Sequence, residues 1–195
     1  MKKIALLTGH YFYSKRKAGF HFLAQEYLKM GYDVTFVTIR FSTLFVLSNN
    51  YLIHEKGLYA NILKPVVKDN LTSMINTTWL HPTSKKYLYD VRFGYFLQDR
   101  IKKHLKDMDV IIYESNSAIS FLEELRQVNP STKMIYRVSD DIPSLLQLPS
   151  LIKKEEEVLE KFHLVSVSLP YTYERLSKLS NVNNVRLDLH GIDTN

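Results

Sequence analysis

The chain has no cysteine in its 195 residues. That absence removes disulfide frameworks, thiolate zinc sites, iron–sulfur clusters and a cysteine nucleophile together, and it is compatible with a reducing cytoplasm. Long apolar runs are missing too. The run Ile4-Ala5-Leu6-Leu7 after Met1-Lys2-Lys3 stops at Thr8-Gly9-His10, far short of the roughly 18–20 apolar residues of a membrane-spanning helix. No small-residue cleavage site follows, so the run reads as a buried strand rather than a signal peptide. Any membrane contact is therefore expected to be peripheral. Glycine and proline number only 6 each, too few for a low-complexity or collagen-like chain. There is no G-x-G-x-x-G fingerprint and no Walker-type Gly-Lys-Ser, so ordinary nicotinamide and P-loop phosphate binding lose their main support. The seven histidines, His10, His21, His54, His81, His104, His163 and His190, are scattered without paired helical spacing, and no metal site is expected.

What is present is a core-former. Hydrophobic residues make up 45% of the chain, enough for one full-sized domain at this length. Lys and Arg exceed Asp and Glu by 26 to 20, a net charge of +6, which favours anionic partners. Nucleic acid is not among those expected, because no helix-turn-helix or stacked-aromatic signature accompanies the charge.

Strand and helix signals alternate. A strand over 3–8 is followed by a helix with Phe20, Leu23, Ala24, Tyr27 and Leu28 on one face, stopped at Gly31, and by a strand over 33–39. Within 41–82 the pattern is mixed, with an apolar run at 41–47 and a possible strand over 59–63. An amphipathic helix is predicted over 86–106, its basic end at Lys102, Lys103 and Lys106 suited to a helix C-terminus. Strands over 109–113, 132–138, 164–169 and 184–189 then alternate with helices over 117–128, 151–162 and 171–179. This order predicts an α/β fold: a Rossmann-like, doubly wound, mostly parallel sheet with helices on both faces.

In such a sheet the ligand crevice lies beyond the carboxyl ends of the strands. Those ends fall at 8–17, 40–43, 114–117, 139–141, 169–171 and 190–195, and three of them carry the candidate chemistry. Gly9 and His10 lead into Lys15-Arg16-Lys17 before the first helix, which suits an anion or a plain solvated loop, and His21 sits nearby on that helix. Glu114-Ser115-Asn116-Ser117 follows a strand and opens a helix: Asn116 or Ser117 reads as an N-cap, whereas an acid atop a buried strand needs a partner or a ligand. Tyr136-Arg137-Val138-Ser139-Asp140-Asp141 ends a buried-type strand in a cation, a hydroxyl and two carboxylates. Pattern alone fits either a turn cap or a general base here.

These blocks resemble a known family. His10-Tyr11-Phe12 through Arg16 and Ala18 to His21-Phe22, the segment 109–115, Val128-Asn129-Pro130 with Tyr136-Arg137-Val138-Ser139-Asp140, and His190-Gly191-Ile192-Asp193 are similar to the N-terminal, acceptor-side half of GT-B glycosyltransferases. The closest likeness is to the bacterial xanthan glucuronosyltransferase family, GumK. The likeness covers most of the chain outside 41–79 and departs from the family pattern at Tyr11, Asn116 and Asp141. A second carboxylate beside Asp140 would raise its neighbour's pKa if both faced the crevice.

The resemblance implies an inverting transfer with Asp140 as the base. Acceptor contacts would fall on His10, Lys15, Arg16, His21, Glu114, Ser115, Arg137 and Ser139. It further implies a UDP-sugar donor, a lipid-linked oligosaccharide acceptor in exopolysaccharide or capsule synthesis, and no metal or other cofactor. The location implied is cytoplasmic, peripherally on the inner membrane, with Lys15, Arg16 and Lys17 toward an anionic membrane surface. Residues 1–189 would form the acceptor domain and 190–195 the start of a hinge to an absent donor domain, leaving the isolated chain inactive. A transferase with another donor, or a non-enzymatic docking domain, fits the same sequence.

Overall fold

The apolar run at the start of the chain becomes the centre of a sheet. The computed structural model describes residues 2–42, 55, 57–78, 95–145, 148–179 and 184–189. Within them β1 (Lys3–Thr8), β2 (Asp33–Ser42), β3 (Val66–Lys68), β4 (Leu71–Thr78), β5 (Val110–Glu114), β6 (Lys133–Val138), β7 (Leu164–Val167) and β8 (Val185–Leu187) form one sheet. The spatial order is β3-β4-β2-β1-β5-β6-β7-β8. Every neighbouring pair is parallel except β3–β4, an antiparallel edge. The doubly wound sheet expected from the alternation is the one observed.

The helices are α1 (Gly19–Lys29), α2 (Leu58–Leu63), α3 (Asp99–Leu105), α4 (Leu122–Val128), α5 (Ile142–Leu145), α6 (Pro149–Val158) and α7 (Pro170–Leu179). Short 3₁₀ turns cover Ser117–Phe121 and Leu159–Lys161. Strand β1 is covered on both faces, which is why it reads as an unbroken apolar run. Ala5 and Leu7 join Val37, Ile39, Ile111, Tyr113 and Tyr136 in the larger core. Ile4 and Leu6 pack with Phe20, Ala24, Val34 and Phe36 beneath α1. Strand β6 shows the alternation of a half-covered strand: Met134, Tyr136 and Val138 face the larger core, and Ile135 and Arg137 point to the α1 side.

Several local expectations need correction. Residues 59–63 lie in helix α2, not a strand: Gly57 at φ 78° turns the chain, and Leu58 and Asn61, three apart, are buried. Asn61 donates from Nδ2 to Ser73 Oγ at 2.8 Å, so tertiary contact overrides the apparent strand propensity of the segment. Strand β4 was hidden by its Thr, Ser and Asn content. It pairs with β3 across a turn in which Asp69 takes φ 51°.

Of the predicted helix over 86–106, Asp99–Leu105 is helical and 95–98 is not, while 86–94 lies outside the described residues. The last two strands are shorter than expected, ending at Val167 and Leu187. Phe41 belongs to a small core with Tyr11, Leu58 and Ile75, and Ser42 ends β2; residues 43–47, and the proposed hinge at 190–195, lie outside the described residues. Gly31, at φ 77°, ends α1 as read from the sequence.

The packing sets a clear contrast. Leu6→Ala, at a fully buried position between β2 and β5, should lower the unfolding free energy by about 2–5 kcal/mol in urea titrations. Tyr59→Ala, on the exposed side of α2, should stay within about 0.5 kcal/mol; a cost as large as that of Leu6→Ala would contradict the helical assignment.

Candidate functional site

Strand order reverses at β1: β2 and β4 lie to one side, β5 to β8 to the other. That switch point puts the carboxyl ends of β1 and β5 next to each other, with β6 adjacent.

Glu114, the last residue of β5, is buried there. Its Oε2 accepts from Thr8 Oγ1 at 2.7 Å, the Gly9 amide at 2.8 Å and Asn116 Nδ2 at 2.5 Å. His10 Nε2 stands 3.4 Å from Oε1. Burial alone would raise the pKa of this carboxyl, but the contacts with His10, Gly9 and Thr8 outweigh it and hold the group below its ordinary value. The acid is thus a clamp between strand ends. Thr8 Oγ1 also accepts from the His10 amide at 3.2 Å, and Thr38 Oγ1 donates to the His10 carbonyl at 2.8 Å. A Cβ on Gly9 would lie 3.4 Å from Asn116 Nδ2 and 3.5 Å from Arg40 Cδ, so the backbone is already closely surrounded.

His21 lies under the following loop, not in the crevice. Its Nδ1 accepts from the Ala18 amide at 3.0 Å, which requires the Nε2–H tautomer to donate to the Tyr11 carbonyl at 2.9 Å. Both nitrogens are engaged, and burial pushes the pKa down, favouring the neutral ring. Ser14 Oγ donates to Glu55 and Lys17 Nζ donates to the Phe12 carbonyl. Lys15 and Arg16 are exposed on the outside of the loop, without an ion-pair partner among the described residues.

Asp140 is held by its backbone. Ser115 Oγ accepts from the Asp140 amide at 3.0 Å, while Ser168 Oγ donates to the carbonyls of Val138 at 3.0 Å and Ser139 at 3.3 Å. Asp140 is exposed, and its carboxylate has no hydrogen-bond or ion-pair partner among the described residues. Asp141 turns away into the protein. Its Oδ1 accepts from Arg175 Nε at 2.8 Å, and Oδ2 accepts from the Ser144 amide at 3.1 Å and hydroxyl at 2.6 Å. Burial would raise the pKa of Asp141, yet Ser144 and Arg175 bring it below its ordinary value. Arg175 also donates from Nη2 to Glu155 Oε2 at 2.8 Å, and Tyr136 donates to Glu155 Oε1 at 2.6 Å. For Glu155 burial wins, and its pKa is raised. The two adjacent aspartates therefore do not share the crevice as the sequence had allowed.

Arg137 and Ser139 line a groove of about 380 Å³ on the α1 side, with Phe22, Tyr27 and Ile135. Arg137 Nη1 donates to Ser166 Oγ at 2.5 Å. The predicted residues are therefore divided. His10, Glu114 and Ser115 gather with Asp140 at the strand ends, Lys15 and Arg16 sit on the outer loop, and His21 braces that loop from inside. Arg40, in the segment 40–43 that the sequence places at a strand end, is given no role there; it stands beside Gly9, exposed between buried Ile39 and Phe41 of β2 and without an ion pair among the described residues. A cation directly after the expected strand over 33–39 was its available signal. Arg175 and Glu155 had none, because two charged residues on separate helices do not announce their pairing.

No cluster of three or more His, Asp or Glu suited to a metal ion occurs among the described residues. The triplet Asp107-Met108-Asp109 lies before β5, at the opposite end of the sheet from the crevice, where Asp109 Oδ2 accepts from the Lys3 amide at 2.7 Å. Among the described residues no helix is long and apolar enough to cross a membrane.

Comparison with known proteins adds a family to this geometry. Residues 6–168 match the family described as glucuronosyltransferase GumK, N-terminal domain. The UDP-glucuronate:glycolipid 2-beta-glucuronosyltransferase of Xanthomonas campestris pv. campestris is 26% identical over 204 residues, covering 97% of this chain and 48% of that protein. The chain thus spans about half the length of that relative. Among solved structures, sucrose-phosphate synthase from Thermosynechococcus elongatus superposes with a TM-score of 0.56 at 13% identity, covering 97% of this chain and 90% of the other. Trehalose-6-phosphate synthase OtsA gives 0.60 at 13%, covering 98% and 50%. At these identities the structural likeness shows the fold.

The Glu114 clamp has a testable pH signature. A carboxyl whose folded-state pKa is lowered contributes stability that is present above its ordinary value and lost as pH falls through the folded value. The melting temperature of Glu114→Gln should therefore lie below that of the unsubstituted chain at neutral pH, and the gap should close as pH falls below about 4.5. A gap that stays constant down to acid unfolding would show that Glu114 is not held ionised by the fold.

Proposed function

Because this chain belongs to the GumK N-terminal-domain family of glucuronosyltransferases, we propose that it is the acceptor-side half of an inverting glycosyltransferase and that Asp140 is its general base. In the proposed step an acceptor hydroxyl attacks the anomeric carbon of a UDP-sugar. The Asp140 carboxylate takes the hydroxyl proton, the bond from the anomeric carbon to the diphosphate oxygen breaks, and UDP leaves with that electron pair.

One observation carries the assignment. Of the four carboxylates around the ends of β5 and β6, Glu114, Asp141 and Glu155 are committed to protein donors. Only the Asp140 carboxylate is without a partner among the described residues, at a position fixed through its own amide. A base must keep a lone pair for its substrate, and a fixed backbone makes its direction reproducible.

The donor proposed is UDP-glucuronic acid or a related UDP-sugar, gripped mainly by a second domain. The coverage of 48% of a glucuronosyltransferase supports a partner half, and a structural relative from E. coli, at TM-score 0.53 and 14% identity over 91% of this chain and 42% of the other, is bound with UDP-2-fluoro glucose. Arg40 and His10 beside Gly9 supply donors for an anionic group at the strand ends. The acceptor proposed is a lipid-linked oligosaccharide met at the inner membrane, with Lys15, Arg16 and Lys17 toward anionic headgroups.

In the enzyme that joins this domain to a donor domain, Asp140→Asn should reduce turnover by about 10²–10⁴-fold while acceptor binding changes little. Near-normal turnover would remove the base role. Neutralising Lys15, Arg16 and Lys17 together should weaken sedimentation with phosphatidylglycerol vesicles and leave the melting temperature unchanged; undiminished vesicle binding would exclude the loop as a membrane contact.

A further inference from the structure

We propose that Arg175 is the positioning residue for Asp140. The inference rests on the reading of Asp140 as base and deepens it. Asp140 lies in a short connection between β6 and α5, where no ladder hydrogen bond dictates its direction. Three restraints act on that connection: Ser168 holds the carbonyls before it, Ser115 holds its amide, and the side chain of Asp141 is drawn inward.

The third restraint depends on Arg175. Its guanidinium, 18% exposed, forks between Asp141, 5% exposed, and Glu155, fully buried. Two carboxylates thus share one cation, with Tyr136 and Ser144 satisfying the remaining oxygens. Without Arg175, two like charges would be left facing each other in a poorly hydrated space. Glu155 is anchored inside the core by α6 and Tyr136, so relief would come at Asp141, on the connection. Asp141 follows Asp140 directly, and any backbone rotation that releases it re-aims the preceding side chain.

Packing alone would not call for this arrangement, since apolar groups of similar volume commonly serve a core as well as a buried ion cluster does. A forked guanidinium does something that apolar packing does not: its planar geometry fixes the bearing of a carboxylate. Its placement on the residue adjoining the proposed base is the observation that turns a stability element into a positioning one.

The test is a double-mutant cycle in the enzyme that joins this domain to a donor domain, with thermal melts run beside the kinetics. Arg175→Gln should lower kcat about 10- to 100-fold, as expected for a displacement on the order of 1 Å, with the acceptor KM within about 2-fold. Arg175→Lys, which keeps the charge, should recover part of the loss. In an Asp140→Asn background, Arg175→Gln should cause no further loss, because a residue acting through Asp140 has nothing left to position. Unchanged kcat, a loss confined to KM, or losses that multiply in the double variant would each overturn the proposal. Should Arg175→Gln fail to fold, Ser144→Ala decides: a few-fold fall in kcat at constant KM supports the proposal, and unchanged kcat refutes it. If Asp140→Asn itself retains turnover, the base assignment falls; if it abolishes turnover while Arg175→Gln is neutral, only the positioning role falls.

Discussion

A carboxylate at the end of a central strand, shut off from water, has to be surrounded by donors. At Glu114 those donors come from Thr8 at the end of β1, from Gly9 and His10 directly after it, and from Asn116 in its own turn. The same bonds that make the buried charge tolerable join the two strands flanking the switch point. They also set the path of the chain leaving β1, so the position of His10 and the approach of Arg40 to Gly9 follow from the clamp. Next to it, Ser115 reaches across to Asp140. The crevice is thus organised outward from one desolvated acid.

Around this centre charge is divided according to solvation. Inside, Asp141 and Glu155 share the single cation of Arg175. Outside, Lys15 and Arg16 stand in water on a loop whose inner face is tied by His21 and Ser14. Asp140 lies between these regimes: its backbone is bound while its carboxylate is uncommitted. Membership of the glucuronosyltransferase GumK N-terminal family gives this division a chemical setting. With the chain spanning about half the length of its glucuronosyltransferase relative, the base proposed at Asp140 and the cationic rim are read as one side of a transfer.

The features legible in the sequence were those that obey local rules. The both-faces-buried β1 declared itself as an apolar run, Gly31 as a helix stop, and Asn116 as a cap, its Oδ1 accepting from the Ala118 amide at 2.8 Å. Segments whose fate depends on distant partners were misread. Residues 59–63 look extended by composition, yet Asn61 finds Ser73 on β4 and the segment coils. Strand β4 itself, rich in Thr, Ser and Asn, looks like loop until its backbone pairs with β2.

By itself the sequence determined the class of fold, the strand ends where chemistry could stand, and the Tyr-Arg-Val-Ser-Asp block that carries the family likeness. Period and spacing are local properties, and parallel β-α alternation leaves few topologies open. Only the tertiary structure decided which of two adjacent aspartates turns into the protein and which stays exposed and unpaired among the described residues. Asp140 and Asp141 have the same side chain and neighbouring positions. They part because Arg175, 34 residues further on, pairs with one of them, and a contact between distant residues leaves no periodic trace in the chain.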